Sequence, residues 1–308
     1  MKILAIETSC DETAVAVVEN GATVLTSLVA SQIATHQKHG GVVPELASRM
    51  HTEKLHGLLD RALKETGLSF NDIDACAVTQ GPGLEGSLLV GIAAAKTLSH
   101  LLEIPLINVN HLHGHIYANF LSNPPVFPFI CLIVSGGHTQ LIHAKGHMDF
   151  ELLGETRDDA AGEAFDKVAR SLNLGYPGGP AIEKAAQTGN EKAFKFPKAM
   201  LNSPYEFSFS GLKTAVIQTL RKLEQPWPVA DLAASFQKAV VDVLTKKAYD
   251  ACRHLGIKTL VLSGGVAANT ALRNACQALP VDLHIPESIY CTDNAAMIGA
   301  AAYYATIA

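Results

Sequence analysis

The densest group of chemically capable side chains in this 308-residue sequence is His111-Leu112-His113-Gly114-His115, three histidines in five residues. On a helix, positions i and i+4 share a face about one turn apart, so His111 and His115 can turn ring nitrogens toward a single metal ion while His113 points away. A third ligand must come from elsewhere. A pair that merely faces solvent or caps the core is the plain alternative, and the concentration of three histidines beside a glycine tips the reading to a metal. Metalloproteases of the H-E-x-x-H type use the same spacing, but they need a Glu after the first His as base on the metal-bound water. Leu112 stands there, so a peptidase would lack its base.

Two turns of small residues, Ser135-Gly136-Gly137-His138-Thr139 and Ser263-Gly264-Gly265-Val266, each follow an apolar strand. Without a Cβ in the way, backbone N–H groups can approach a phosphate or nucleoside, and a hydroxyl adds a further bond. One such turn means little, because tight turns use glycine for conformational reasons alone; two in equivalent strand-end contexts are more telling. Gly81-Pro82-Gly83-Leu84-Glu85-Gly86 matches G-x-G-x-x-G, but the ribose-binding acid expected at the end of the next strand is missing: Glu103 precedes that strand and Asn110 ends it. A tight turn with close helix–strand packing is the better account. Gly211-Leu212-Lys213-Thr214 lacks the G-K-[ST] ending of a P-loop. Asp11, Glu12 and Thr13 lie in a polar turn between the first two strands, and Asp293 reads locally as a first-turn acid favoured by the helix dipole.

The elements that must carry these residues follow from periodicity. Lys2–Glu7, Ala14–Glu19 and Ala22–Ala30 read as a strand meander, and Pro44 to about Thr66 as a helix stopped by Gly67. A strand (Ile73–Thr79), a small-residue helix (Leu84–Leu102), a strand (Pro105–Val109) and the histidine helix (His111–Leu121) complete a first half. After Asn123-Pro124-Pro125 the theme returns, with strands at Phe129–Val134, Gln140–Ala144 and Phe150–Leu153. Helices follow at Asp159–Leu172, Pro180–Thr188, Gly211–Leu223 and Val229–Leu255, then a strand (Lys258–Ser263), a helix (Ala267–Leu279), a short strand and a last helix (Asp293–Ala305). Two strand–turn–strand openings, each followed by alternating helices and strands, predict a duplicated α/β fold of the actin-like ATPase kind around a central cleft, divided as 1–122 and 123–308.

Composition narrows the function classes. No apolar run reaches the length of a membrane span without charges, and the N-terminal apolar stretch meets Glu7 too early for a signal peptide, which predicts a cytosolic protein. Six cysteines stand singly with no C-x-x-C pair, so neither disulfides nor a cysteine zinc site is expected. A formal net charge of −5 argues against coating nucleic acid by charge alone. The local exception is residues 192–222, where six basic side chains face Glu206 alone and Phe194, Phe196, Tyr205, Phe207 and Phe209 interleave with them, a pattern suited either to stacking on unpaired bases or to a solvated insert whose phenylalanines pack on the core.

Taken together, these strings resemble the tRNA threonylcarbamoyladenosine transferases, long labelled sialoglycoprotein endopeptidases. The resemblance runs nearly end to end, through 6–13, 40–49, 81–84, 134–141, 158–167, 176–180, 207–214, 263–269 and 291–294. It implies a divalent metal, iron or zinc, held by His111, His115 and Asp293, with magnesium accompanying a nucleotide. It also implies a substrate site of Ile133, Val134, Ser135, Gly136, Gly137, Asp166, Gly179 and Asn269. The reaction implied is transfer of threonylcarbamoyl from threonylcarbamoyl-adenylate to N6 of adenosine 37 in tRNAs reading codons that begin with A. Partners implied are tRNA, a non-catalytic paralogue and a small ATPase. In the middle of the histidine motif the family is more often acidic, where this chain has His113. Glu12, with Asp11, is the candidate catalytic pair by its place in the first loop. Of the rivals, an actin-like small-molecule kinase has no need of the H-x-x-x-H pair, and a non-catalytic module would be expected to have lost a ligand.

Overall fold

The computed structural model describes residues 1–199 and 202–308. The chain divides into two compact units, Met1–Pro124 with Pro286–Ala308, and Pro125–Ile285. The first boundary follows Pro124, and the C-terminal segment Pro286–Ala308 belongs with the first unit rather than with the residues from 123 onward as the sequence reading has it.

The first unit opens with the expected meander, β1 (Lys2–Glu7), β2 (Glu12–Glu19) and β3 (Thr23–Ser31), each antiparallel to the one before. A short helix, α1 (Ile33–His36), leads to α2 (Pro44–Thr66), which starts on a proline and ends on left-handed Gly67, as its sequence signals require. Next come β4 (Ala75–Gly81), α3 (Glu85–Leu102), β5 (Leu106–Asn110) and α4 (His111–Tyr117). The sheet order is β3-β2-β1-β4-β5, with β4 parallel to β1 and β5 parallel to β4. Central β1 is buried along nearly its whole length, as a strand covered on both faces must be.

The second unit repeats this plan. Its meander is β6 (Phe129–Val134), β7 (Thr139–Gly146) and β8 (Asp149–Glu155). Helices α5 (Ala161–Ser171), α6 (Gly178–Ala186), α7 (Ser210–Lys222) and α8 (Val229–Leu255) follow, then β9 (Thr259–Ser263), α9 (Thr270–Gln277) and β10 (Asp282–His284). The order β10-β9-β6-β7-β8, with β9 parallel to β6 and β10 parallel to β9, is the topology of the first sheet read from the other edge. The repeated order of elements is therefore matched by a repeated strand order.

The chain then returns to the first unit as α10 (Ser288–Cys291) and α11 (Ala295–Ile307). Helix α11 is a run of small and apolar residues, eight of them buried, which lets it lie close on β1, β2 and α4. The six cysteines are all free thiols. Among the described residues no helix is long and apolar enough to cross a membrane.

Candidate functional site

The side chain of Asn110, the last residue of β5, accepts from Leu112 N (2.8 Å) and His113 N (3.4 Å) and so caps α4. This places His111 on the first turn and His115 one turn later, their rings edge to face with centroids 4.7 Å apart. Asp293 closes the set: its Oδ1 lies 3.5 Å from His111 Nε2 and 3.3 Å from His115 Nε2. Ligand atoms of the three residues fall within 4.8 Å of one another, and among the described residues no other His, Cys, Asp or Glu joins the group. His113 is outside it, as the helical geometry predicts.

Asp293 precedes the helix rather than sitting in its first turn: Asn294 is the cap of α11, accepting from Met297 N (2.9 Å) and tying itself to the Thr292 carbonyl (2.8 Å). This corrects the dipole reading made from local sequence. The approach of α11 to α4 depends on Gly114, where a Cβ would stand 2.7 Å from Ile298 Cδ1 and 3.2 Å from Met297 Cγ. The glycine between the histidines thus admits the helix that Asp293 precedes.

Behind His111 stands a residue that reading by motif missed. Glu7, at the end of β1 and wholly buried, takes the Nδ1 proton of His111 on Oε2 at 3.0 Å. The same carboxylate accepts from Ser9 N and Thr79 Oγ1. The signal was a buried-strand acid, Glu7, closing the apolar run Ile3–Ile6, but nothing local ties it to a histidine 104 residues away. A carboxylate on Nδ1 leaves Nε2 free for a metal and raises its basicity. Burial opposes ionisation of both acids, yet the charge on His111 outweighs it and holds Glu7 and Asp293 below the usual carboxylate range. For His111 burial again works against the charge, while Asp293 and Glu7 prevail and hold its pKa well above the ordinary imidazole value. Two carboxylates against one imidazole make this a place that attracts positive charge.

The donor set fits a divalent ion. Fully buried His115 completes no hydrogen bond with either ring nitrogen, Nε2 only approaching Asp293. A buried imidazole without a partner is costly unless something else takes its lone pair, and two imidazoles with one carboxylate are the ligands that zinc or iron accepts.

Asp11 ends the turn between β1 and β2, while Glu12 is already the first residue of β2, paired with Ser31 of β3, so the strand begins two residues earlier than periodicity predicts. Burial raises both pKa values, that of Glu12 to about 7, with Asp11 and Asp293 adding to the rise. One Glu12 oxygen accepts from Ser31 Oγ (2.9 Å) and the other is buried without a partner.

In the second unit, the candidate residues Ile133 to Gly137 run off the C-terminal end of β6, beside that of β9. Ile133 pairs with Ser263 across the two strands. Gly264 has φ +89° and lies so close to Val134 that a Cβ would meet its carbonyl oxygen at 2.4 Å, so only glycine fits. Ser135 closes its turn onto His138 (N to O, 2.8 Å), leaving Gly136 and Gly137 exposed with open space above them. Gly162, in the first turn of α5, donates to the Ser135 carbonyl (3.2 Å), so the helix that carries Asp166 starts at this turn. Asp166 Oδ1 accepts from Gly178 N (2.7 Å), fixing the neighbouring Gly179. Asn269 caps α9 through Leu272 N and donates to Gln237 Oε1 at 2.9 Å, so its side chain is a buried structural anchor in this structure.

The remaining motifs resolve as packing. Gly81–Leu84 is the close helix–strand turn expected, Leu84 N donating to the Ser9 carbonyl at 2.8 Å. In 192–222, Phe196, Phe207 and Phe209 are buried, which corrects their reading as base-stacking residues; Lys198 pairs with Asp242 and Lys213 with Asp159, while Lys192 and Lys195 are exposed. Residues 200 and 201 of this segment lie outside the described residues.

Comparison with known proteins adds identity to this geometry. The sequence profile of the tRNA N6-adenosine threonylcarbamoyltransferase family matches residues 23–300. A protein of that name from Thermomicrobium roseum is 54% identical over 99% of this chain and 92% of its own length, and one from Staphylococcus haemolyticus 55% over 98% and 90%. Among solved structures, HypF from T. kodakarensis superposes on 99% of this chain and 48% of its own at TM-score 0.67 with 16% identity. Component A of (R)-2-hydroxyglutaryl-CoA dehydratase from Acidaminococcus fermentans superposes over 100% of both chains at TM-score 0.58, also at 16% identity. At such identities these two likenesses establish the actin-like ATPase fold alone.

Proposed function

Since this chain belongs to the tRNA N6-adenosine threonylcarbamoyltransferase family, we propose that it transfers threonylcarbamoyl from threonylcarbamoyl-adenylate to N6 of adenosine 37 in tRNAs reading codons that begin with A. The observation that carries this reading is the His111–His115–Asp293 group backed by Glu7, built from segments far apart in sequence and matching the ligand set that the family implies. The peptidase alternative has no support at Leu112, and a small-molecule kinase leaves the histidine site without a role.

The reaction joins N6 to the carbamoyl carbon and breaks that carbon's bond to the phosphate oxygen; AMP leaves with the electron pair, and the N6 proton must be taken up. An aromatic amine is a weak nucleophile, so positioning and proton removal are the protein's main contributions. Glu12, with its carboxyl raised to about 7 and one oxygen unpartnered, is suited to receive that proton near neutral pH. Asp11, beside it, helps raise that pKa by its negative charge. Backbone N–H groups of the Ser135–Gly137 turn hold the adenylate phosphate, while Asp166 and Gly179 frame the nucleoside and buried Ile133, Val134 and Asn269 support that frame from behind. His111, His115 and Asp293 would hold iron or zinc, which supplies Lewis-acid neutralisation of charge developing on oxygen; magnesium would accompany a nucleotide.

The partners that fit this reading are tRNA, a non-catalytic paralogue of the chain and a small ATPase, and the setting is the cytoplasm. The test is nucleoside mass spectrometry of tRNA incubated with the protein, its partners, threonine, bicarbonate, ATP and an adenylate-forming enzyme. Threonylcarbamoyladenosine should appear only when the chain is present; its absence in the complete mixture would reject the assignment.

A further inference from the structure

Behind the turn-to-strand junction that carries Asp11 and Glu12 runs a buried polar chain. His36 at the end of α1, His51 on α2 and Thr13 on β2 are fully buried, and Gln32 is 1% exposed. His51 Nε2 lies 2.9 Å from the Cys10 carbonyl oxygen, and its Nδ1 lies 2.7 Å from Thr13 Oγ1. A carbonyl oxygen only accepts, so Nε2 carries the ring proton and Nδ1 presents the lone pair that receives the Thr13 hydroxyl. At the far end, Val43 N donates to His36 Nδ1 (3.3 Å), which puts that ring's proton on Nε2, 3.0 Å from Gln32 Oε1. The Gln32 amide is thereby oriented: its Nε2 faces the Ala47 carbonyl (3.3 Å) and His51 Nδ1 (3.4 Å), and its backbone N–H donates to the Asp11 carbonyl (3.1 Å).

The two atoms that His51 holds, the Cys10 carbonyl and the Thr13 hydroxyl, bracket Asp11-Glu12. An apolar side chain of similar volume would fill the same core without the cost of burying an imidazole. What the imidazole adds is a pair of directional bonds, one on each side of the two acids. Burial pushes the His51 pKa down and keeps the ring neutral, as the bond from Thr13 requires.

We propose that His51 is a positioning residue of the transfer reaction: through Cys10 and Thr13 it sets the turn-to-strand junction on which Asp11 and Glu12 are presented. This rests on the reading that these acids serve the transfer. His51→Leu keeps the volume and removes both bonds, while His51→Gln restores a donor for the Cys10 carbonyl. In single-turnover transfer at saturating adenylate, the Leu variant should lose about tenfold or more in rate, the scale of a misplacement of a few tenths of an ångström to one ångström. Its KM for the adenylate and its metal content should be unchanged, and the Gln variant should recover most of the rate. Alkylation of Cys10 by iodoacetamide, read by peptide mass mapping, reports the turn independently of activity, because Cys10 is half-buried while the other five thiols are buried. It should quicken in the Leu variant and return toward the parent in the Gln variant.

A Leu variant with parental rate and parental Cys10 labelling, or a loss confined to KM or metal content, overturns the proposal. If the Leu variant also labels at the five buried cysteines it has lost its fold, and Thr13→Val, which removes the nearer of the two donors to Nδ1, then carries the same expectations. A Glu12→Gln variant that transfers at the parental rate would reject the proton-acceptor reading, and Cys10 labelling would still decide whether His51 holds the turn.

Discussion

Replacing Glu7 by Gln tests whether the proposed metal site extends beyond His111, His115 and Asp293. The carboxylate takes three donors: His111 Nδ1 and Thr79 Oγ1 on one oxygen, Ser9 N on the other. An amide has a single acceptor oxygen. Turned toward His111 and Thr79, it confronts the Ser9 N–H with its own NH2; turned the other way, it abandons two donors. The better orientation still leaves one buried donor unsatisfied, costing about 1–3 kcal/mol of fold stability. Removing the negative charge also lowers the basicity of His111 Nε2, and changes of this kind typically weaken metal affinity by about 10–100-fold, or about 1.4–2.7 kcal/mol. Competition of the purified variant with a chromophoric chelator for Zn2+ gives the dissociation constant directly, with far-UV circular dichroism as a check on the fold. A folded Glu7→Gln protein that binds Zn2+ within a factor of two of the parent would refute the argument and leave Glu7 as a packing residue of β1.

Four further outcomes are expected. His111→Ala and His115→Ala should each lower metal content by elemental analysis and reduce transfer while leaving the fold nearly intact; full metal content in the double variant would contradict the ligand assignment. Gly114→Ala drives a methyl into Ile298 and Met297, so overpacking of about 1–3 kcal/mol should appear in denaturant unfolding, together with weaker Zn2+ binding as α11 moves Asp293 away. Because the Glu12 carboxyl is raised to about 7, transfer should climb as pH rises through about 7, and Glu12→Gln should lose that limb. Lys192→Glu with Lys195→Glu should weaken tRNA binding and flatten its salt dependence by roughly 0.7–0.9 in log–log slope for each phosphate no longer neutralised, whereas unchanged binding would move docking to another surface.

Local sequence determined a good deal of this protein. The meanders, α2 between Pro44 and Gly67, the one-face placement of His111 and His115, and the tight turn at Gly81–Leu84 all follow from periods, caps and glycines, because each depends on neighbours within a few residues. The resemblance to a family pointed to Asp293 as third ligand, where spacing read it only as a helix-dipole acid. The tertiary structure decided the rest. It brings α11 back onto β1, β2 and α4 although 161 intervening residues form the other unit, sets Glu7 behind a histidine 104 positions later, and joins His36, Gln32 and His51 behind the acidic turn. It also turns Phe196, Phe207 and Phe209 inward from a segment whose composition suggested an RNA-facing surface. The physical reason is the same in each case: the partner of a buried carboxylate, imidazole or ring is chosen by which faces the folded sheets and helices bring together, and amino-acid types alone do not encode that choice over such separations.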